Sequence, residues 1–210
     1  MPPAAKDSST QRRGRPTAPP SSAEPTRERI LRVAAEIFAE KGYHGTGVAE
    51  LGDATGLQRG ALYYHIKSKE DLLFDLSARH VEEALERGRP VVESDLSPVE
   101  KFRELAREHL DVVTSRQAEV TVVLREMHSL TGERAESLKR LRAQYEDLFA
   151  TVLTEGAEAG VFRQPDVLTT HAILGMYNSA HVWFSPRAGL TARALADRLS
   201  DVILGGIALA

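Results

Sequence analysis

The stretch Thr46–Leu73, TGVAELGDATGLQRGALYYHIKSKEDLL, decides the fold of this 210-residue chain. Thr46 offers an N-cap to a short helix over about residues 47–54, and Gly56 breaks that helix. A second short helix follows over about 58–65. Ser68-Lys69-Glu70-Asp71 then has the form of a capping box that opens a longer helix. Upstream, Ile30, Val33, Ala34, Ile37 and Phe38 recur at helical spacing from Thr26 onward, and Gly42 stands where that helix would end. Two short helices joined by a glycine-containing turn, over about 47–66, have the grammar of a helix-turn-helix.

In such a motif the second helix enters the major groove and offers its first side chains to base edges. Here those side chains are Gln58, which can pair bidentately with adenine, and Arg59, which can pair with guanine. Gly60 and Ala61 are small and let the helix come close. Tyr63, Tyr64, His65, Lys67 and Lys69 bring polar tips and ammonium groups suited to phosphates, which position a protein without specifying sequence. The helix N-terminus at Ser68-Lys69 adds free N–H groups, and Thr46 would face the backbone from the other side. The same shape occurs in helical proteins that never meet DNA, so on these residues alone a helical small-molecule-binding protein stays open.

Outward from this unit the chain changes character. Residues 1–25 read as a disordered arm, with six of the ten prolines, four basic and two acidic side chains, and no aromatic residue. Within it, Arg12-Arg13-Gly14-Arg15-Pro16 resembles an AT-hook core, so Arg13 and Arg15 are expected to reach into an A·T-rich minor groove. Downstream, the fourth helix is expected to end near Arg87, closed by Gly88 and Pro90. Ser97-Pro98-Val99-Glu100 opens the next one with a cap, an N1 proline and an N3 glutamate. Further helices are expected over about 116–129, 133–159, 166–184 and from Thr191 onward. No alternating strand pattern or repeat stands out. The expected fold is all-α with about nine helices. It divides into a DNA-binding domain over 26–88 and a larger helical ligand-binding and dimerisation domain over 89–210.

The balance of 27 Lys+Arg against 30 Asp+Glu excludes a uniformly basic coat. It hides a split: residues 1–90 carry 14 basic and 13 acidic side chains, and 91–210 carry 13 and 17. The absence of cysteine removes disulfides, thiolate zinc sites and cysteine nucleophiles. No apolar run approaches the length of a membrane span and no secretory h-region opens the chain, so a cytoplasmic protein without membrane contact is expected. P-loop, dinucleotide-binding, nucleophile-elbow and HExxH patterns are missing, and no histidine pair has ligand spacing. The reading is therefore of a non-enzyme with neither metal nor cofactor.

The stretch Thr46–Leu73, with Phe38-Ala39-Glu40-Lys41-Gly42-Tyr43, Leu62-Tyr63-Tyr64-His65-Ile66 and Ser68-Lys69-Glu70, resembles the DNA-binding signature of the TetR family of transcriptional regulators. The resemblance implies a helical homodimer that binds a palindromic operator in double-stranded DNA and is released by a ligand. Two positions depart from the family pattern. Gly47 stands at a DNA-contacting position where a second threonine is frequent, so one phosphate-facing hydroxyl is missing. Gly52-Asp53 replaces a more apolar pair, which should weaken the helix.

Leu124–Leu130 and Gly175–Leu190 resemble, more loosely, a subgroup that governs fatty-acid and steroid degradation and senses acyl-CoA thioesters. Val182 stands where members often carry an arginine. The implied effector is small and hydrophobic, such as an acyl-CoA, held by Arg125, Met127, His128, Tyr145, Phe149, Asn178, His181 and Trp183. Arg142, Arg163 and Arg187 are further cations for a polyphosphate. The alternatives are a regulator of an efflux pump that senses drugs, for which Glu126 and Asp111 are the available acids, or a binding protein without DNA contact.

Overall fold

The structure, a computed structural model, describes residues 25–186 and 190–208. The expected arm, with Arg13 and Arg15, lies outside the described residues, as does Arg187. The helices are α1 Thr26–Lys41, α2 Val48–Thr55, α3 Arg59–His65, α4 Lys69–Val92, α5 Pro98–Ser115 and α6 Gln117–Glu126. A 3-10 turn at Met127–Ser129 leads into α7 Gly132–Glu158, α8 Val167–Asn178, α9 Ala180–Trp183 and α10 Ala192–Ile207. Ser179 alone separates α8 from α9 and keeps helical dihedrals, so the two continue one another and the described residues form nine α-helical runs. An isolated antiparallel bridge pairs Phe162 with Ala208.

The first three helices fold over one apolar knot. Phe38, Ile30, Leu31 and Ala34 of α1 are buried against Leu51 of α2, Leu62 of α3 and Leu72, Leu73 and Leu76 of α4. Gly56 makes the turn between α2 and α3 with φ +68°, a left-handed conformation that costs glycine nothing. Gly52 is a close-approach residue: a Cβ there would lie 3.2 Å from the carbonyl oxygen of Leu57. The glycine that looked like a weakness in α2 lets that helix sit down on the turn. Thr46 does not cap α2. Gly47 holds that position, and the Thr46 hydroxyl turns inward to donate to the Gly42 carbonyl at 2.9 Å, because a buried hydroxyl needs a partner.

The expected end of α4 near Arg87 is also corrected, since the helix runs on to Val92 with Pro90 inside it. A Cβ at Gly88 would fall 2.6 Å from Leu148 Cδ1 and 3.3 Å from Leu105 Cδ2, so this glycine packs α4 onto α5 and α7 and does not stop the helix. Pro90 lies within the last turn, where it removes a single backbone bond. Other caps follow the sequence. Ser68 Oγ accepts from Asp71 N–H at 3.0 Å, and Ser97 and Glu100 close a reciprocal box on α5.

The uninterrupted α4 carries its first turns in the N-terminal knot and its later turns against α5, α6 and α7. At the far end, Phe102, Phe149, Phe162 and Tyr177 form an aromatic cluster with ring centroids 6.2 to 6.5 Å apart, and α10 lies along α5. Among the described residues no helix is long and apolar enough to cross a membrane.

Candidate nucleic-acid interface and ligand cavity

Helix α3 has seven residues and one fully buried side chain, Leu62. Leu62 anchors the helix, and Ile66 just beyond it is buried too, which turns the opposite face to solvent. Gln58, Arg59, Gly60 and Ala61 are all exposed at its start, and Tyr64 is 86% exposed. The Arg59 guanidinium lies 5.7 Å over the Tyr63 ring, and Tyr64 meets His65 edge-on at 5.2 Å. Lys67, two residues past the end of α3, is exposed as well. The structure thus presents Gln58, Arg59, Gly60, Tyr63, Tyr64 and His65 along the solvent side of α3, with Lys67 exposed just beyond it and Gly47 exposed at the start of α2.

Lys69 is used differently from the expectation. Its ammonium donates to the carbonyls of Tyr43 at 2.8 Å and Thr46 at 2.9 Å and stands 4.4 Å from the Tyr43 ring centroid. Two of its three donors therefore hold the loop between α1 and α2, and buried Thr46 is part of what they hold.

Helices α4 to α8 line a cavity of about 350 Å³ that opens to solvent on one side. Val81 and Ala84 of α4, Val112 and Val113 of α5, and Val123 of α6 form its apolar wall. Three of its polar members form a chain. Tyr145 O–H lies 2.8 Å from His109 Nδ1, and His109 Nε2 lies 3.1 Å from Asn178 Oδ1. The tautomer with the proton on Nε2 satisfies both contacts, with Tyr145 donating to Nδ1 and His109 donating to the amide oxygen. Burial holds the His109 pKa down at about 4, helped by nearby His80, and pushes the Tyr145 phenol up. His80 also lines the cavity. Burial lowers it to about 4 against the pull of Glu83, and its Nδ1 has no hydrogen-bond partner. At the solvent edge, His171 Nε2 lies 3.4 Å from Glu146, which also pairs with Arg142 at 3.8 Å.

Of the ligand residues expected from sequence, Tyr145 and Asn178 line this cavity, and so does the further cation Arg142. The others lie elsewhere. Phe149 is fully buried in the aromatic cluster, its ring 6.2 Å from that of His109. Met127 is half-buried and its sulfur meets Arg142. His128 is exposed in the 3-10 turn. His181 bonds the Asn178 carbonyl through Nδ1 at 2.6 Å, and Trp183 is 53% exposed, its indole N–H on Ser179 at 3.3 Å. Glu126 and Asp111, the candidate acids for a cationic drug, bond Tyr43 N–H and Arg87 instead. His80, His109 and His171 were missed. The available clue was a histidine inside an apolar helical stripe, as where His109 sits among Leu105, Ala106, Val112 and Val113.

A set of bonds joins the cavity wall to the N-terminal knot. Val123 and Leu124 face the cavity, and the next two residues of α6 reach the other way. Arg125 donates to the Ala39 carbonyl at 3.2 Å, and Glu126 accepts from Tyr43 N–H at 3.2 Å. Ser129 meets His44 at 2.9 Å, and Thr131 donates through its backbone and hydroxyl to Glu70 at 2.9 and 3.0 Å, which lowers the Glu70 pKa. Arg134 pairs with Asp71. Burial would raise the Asp71 pKa, but bonds from Ser68 and Arg134 outweigh it and hold it below its ordinary value. Among the described residues no group of three or more carboxylates and histidines could hold a metal ion.

Comparison with known proteins bears on both regions. Residues 30–76 match the family model described as bacterial regulatory proteins, tetR family, and residues 95–207 match that of the tetracyclin repressor-like C-terminal domain. The HTH-type transcriptional repressor KstR2 of Mycobacterium tuberculosis is 28% identical over 185 residues, 86% of this chain and 92% of that protein. The TetR family regulator PfmR of Thermus thermophilus superposes with a TM-score of 0.77 at 34% identity, covering 84% of this chain and 97% of that one. AibR, solved in complex with isovaleryl coenzyme A and operator DNA, superposes with a TM-score of 0.74 at 28% identity, covering 87% and 97%.

Proposed function

The chain belongs to the tetR family of bacterial regulatory proteins, and from that premise we propose that it is a repressor. It binds a palindromic operator as a homodimer and leaves it when a small hydrophobic effector, an acyl-CoA, enters the cavity. The observation that carries this reading is the exposed start of α3. Gln58, Arg59 and Gly60 stand free at a helix end whose other face is locked by Leu62, the presentation that base readout in the major groove requires. AibR supports the class of effector by its isovaleryl coenzyme A complex, and KstR2 supports repression. The cavity supports it as well. Among the described residues its one lining acid, Glu146, already has Arg142 at 3.8 Å and His171 at 3.4 Å, which disfavours a cationic drug.

The second subunit is assigned to α8 and α10. Leu168, Gly175 and Met176 on α8 and Val202, Gly205 and Gly206 on α10 are exposed, and a Cβ at each of these glycines would meet nothing within 4 Å. The route from effector to DNA is α6. A ligand pressing on Val123 and Leu124 displaces the Arg125 and Glu126 bonds that set the loop around Tyr43, and with it the placing of α2 and α3. Expulsion requires only that the effector bind the DNA-incompetent arrangement more tightly.

Fluorescence anisotropy with DNA from upstream of the protein's own gene tests the proposal. Binding with a two-to-one protein-to-site ratio, reversed by an acyl-CoA, is expected. Failure to bind any palindrome at low salt would leave the chain a ligand-binding protein without DNA.

A further inference from the structure

Tyr145, His109 and Asn178 together fix which hydrogen-bonding group the cavity offers a ligand. Burial keeps Tyr145 a neutral phenol, and among the described residues its O–H has one partner, His109 Nδ1 at 2.8 Å. A phenol with no other acceptor gives its proton to that nitrogen, so the His109 proton sits on Nε2. Nε2 then donates to Asn178 Oδ1 at 3.1 Å, which holds the amide with its oxygen toward His109 and its nitrogen turned away. Asn178 is half-buried and lines the cavity, and its Nδ2 has no partner among the described residues. Nδ2 also keeps open surface, in contrast to the sealed Nδ1 of His80.

The position of this donor is as definite as its polarity. His171, Leu174 and Asn178 line the cavity from one face of α8, at i, i+3 and i+7. His171 is exposed at the solvent edge, and the helix rises about 10 Å from there to Asn178. Val81, Ala84, Val112, Val113 and Val123 make the apolar wall and bring no side-chain acceptor.

We infer that Asn178 Nδ2 donates to the thioester carbonyl oxygen of the effector and so sets the depth at which an acyl-CoA is held. This rests on the reading of the cavity as an acyl-CoA site and goes beyond it by naming the atom that recognises the thioester. A carbonyl accepts and asks for nothing in return, whereas a hydroxyl would bring a proton for which the apolar wall has no acceptor. The acyl chain then lies against the valines, and the coenzyme leads out along α8 past His171.

The test uses pairs of ligands that differ in one group. Isovaleryl coenzyme A carries C=O where S-(3-methylbutyl) coenzyme A carries CH2, and octanoyl and S-octyl coenzyme A form a longer pair of the same kind. Calorimetric titration of the full chain is expected to show the thioester binding about 5-fold tighter than its thioether in at least one pair, the net scale of one neutral hydrogen bond. Asn178→Asp keeps an oxygen for His109 and exchanges the N–H donor for an acceptor. Its added charge acts alike on both members of a pair, so their ratio reports the carbonyl, and that ratio is expected to fall to one or below. Asn178→Leu removes the donor without adding charge, and the preference should vanish there as well. Equal binding of thioester and thioether by the unaltered protein overturns the inference and leaves the acyl-CoA reading in place. A preference that persists in both variants overturns the assignment to Asn178. If none of the four ligands binds, the acyl-CoA reading falls, and the inference with it.

Discussion

The start of α3 and the wall of the cavity are built on opposite terms. At α3 the functional side chains are contiguous, exposed and held by one buried leucine. In the cavity they come from five helices, range from buried to half-buried behind an exposed rim, and depend on one another, as Tyr145, His109 and Asn178 do. A face of the first kind can be altered one residue at a time at the cost of affinity alone. A site of the second kind couples every change to folding. The two differ in how stability and binding respond, and that difference can be broken or sharpened by measurement.

The largest effect is expected at Phe149→Ala. The ring is fully buried beside His109, and its removal should cost about 3–5 kcal/mol of folding stability by denaturant unfolding. Operator affinity of the folded fraction should stay unchanged, and a loss below about 1 kcal/mol would contradict the packing described. Acidification comes next. His80 and His109 have folded pKa values of about 4, below the ordinary value of 6.5. The unfolded chain therefore takes up protons first as pH falls through 6.5, and the folded chain follows only near 4. Stability present above pH 6.5 is thus lost across that window, by about 2 kcal/mol per histidine between pH 7 and pH 5. In His80→Leu the loss should be roughly halved, and an unchanged pH profile would show that His80 is not buried as a neutral ring.

On the exposed face, Arg59→Ala should weaken operator binding by about 1–3 kcal/mol with little change in melting temperature. A matching loss of stability would mean that Arg59 is a packing residue. The smallest effect distinguishes two lysines. Lys67→Met should reduce the slope of log affinity against log salt by about one, as expected for a phosphate contact. Lys69→Met should leave that slope alone and lower the melting temperature, since its ammonium holds Tyr43 and Thr46. An equal change of slope in both would restore Lys69 to the phosphate-binding set.

The same contrast explains what could be read from sequence. Gln58, Arg59, Tyr63, Tyr64 and Lys67 lie within ten residues, between the turn glycine Gly56 and the Ser68 cap, so local rules suffice. The cavity histidines lie on α4, α5 and α8, and only packing brings His80, His109 and His171 to one space. Sequence patterns drew attention to Met127, His128 and Trp183, which look polar or bulky near the right helices but face elsewhere. Gly88 and Pro90 misled for a related reason. Local grammar makes them a stop, but Leu148 and Leu105 press on Gly88 from other helices and carry α4 through it. Thr46 and Lys69 carried the right chemistry for phosphate and are consumed by the loop they stabilise.

The central claim is that occupancy of the cavity controls the face at α3. The most direct test titrates fluorescent upstream DNA with the protein, with and without saturating isovaleryl coenzyme A or a longer acyl-CoA. An apparent Kd raised about 10-fold or more by an acyl-CoA, a coupling of about 1.4 kcal/mol, is predicted. An unchanged Kd in the presence of an acyl-CoA that calorimetry shows to be bound would contradict the account.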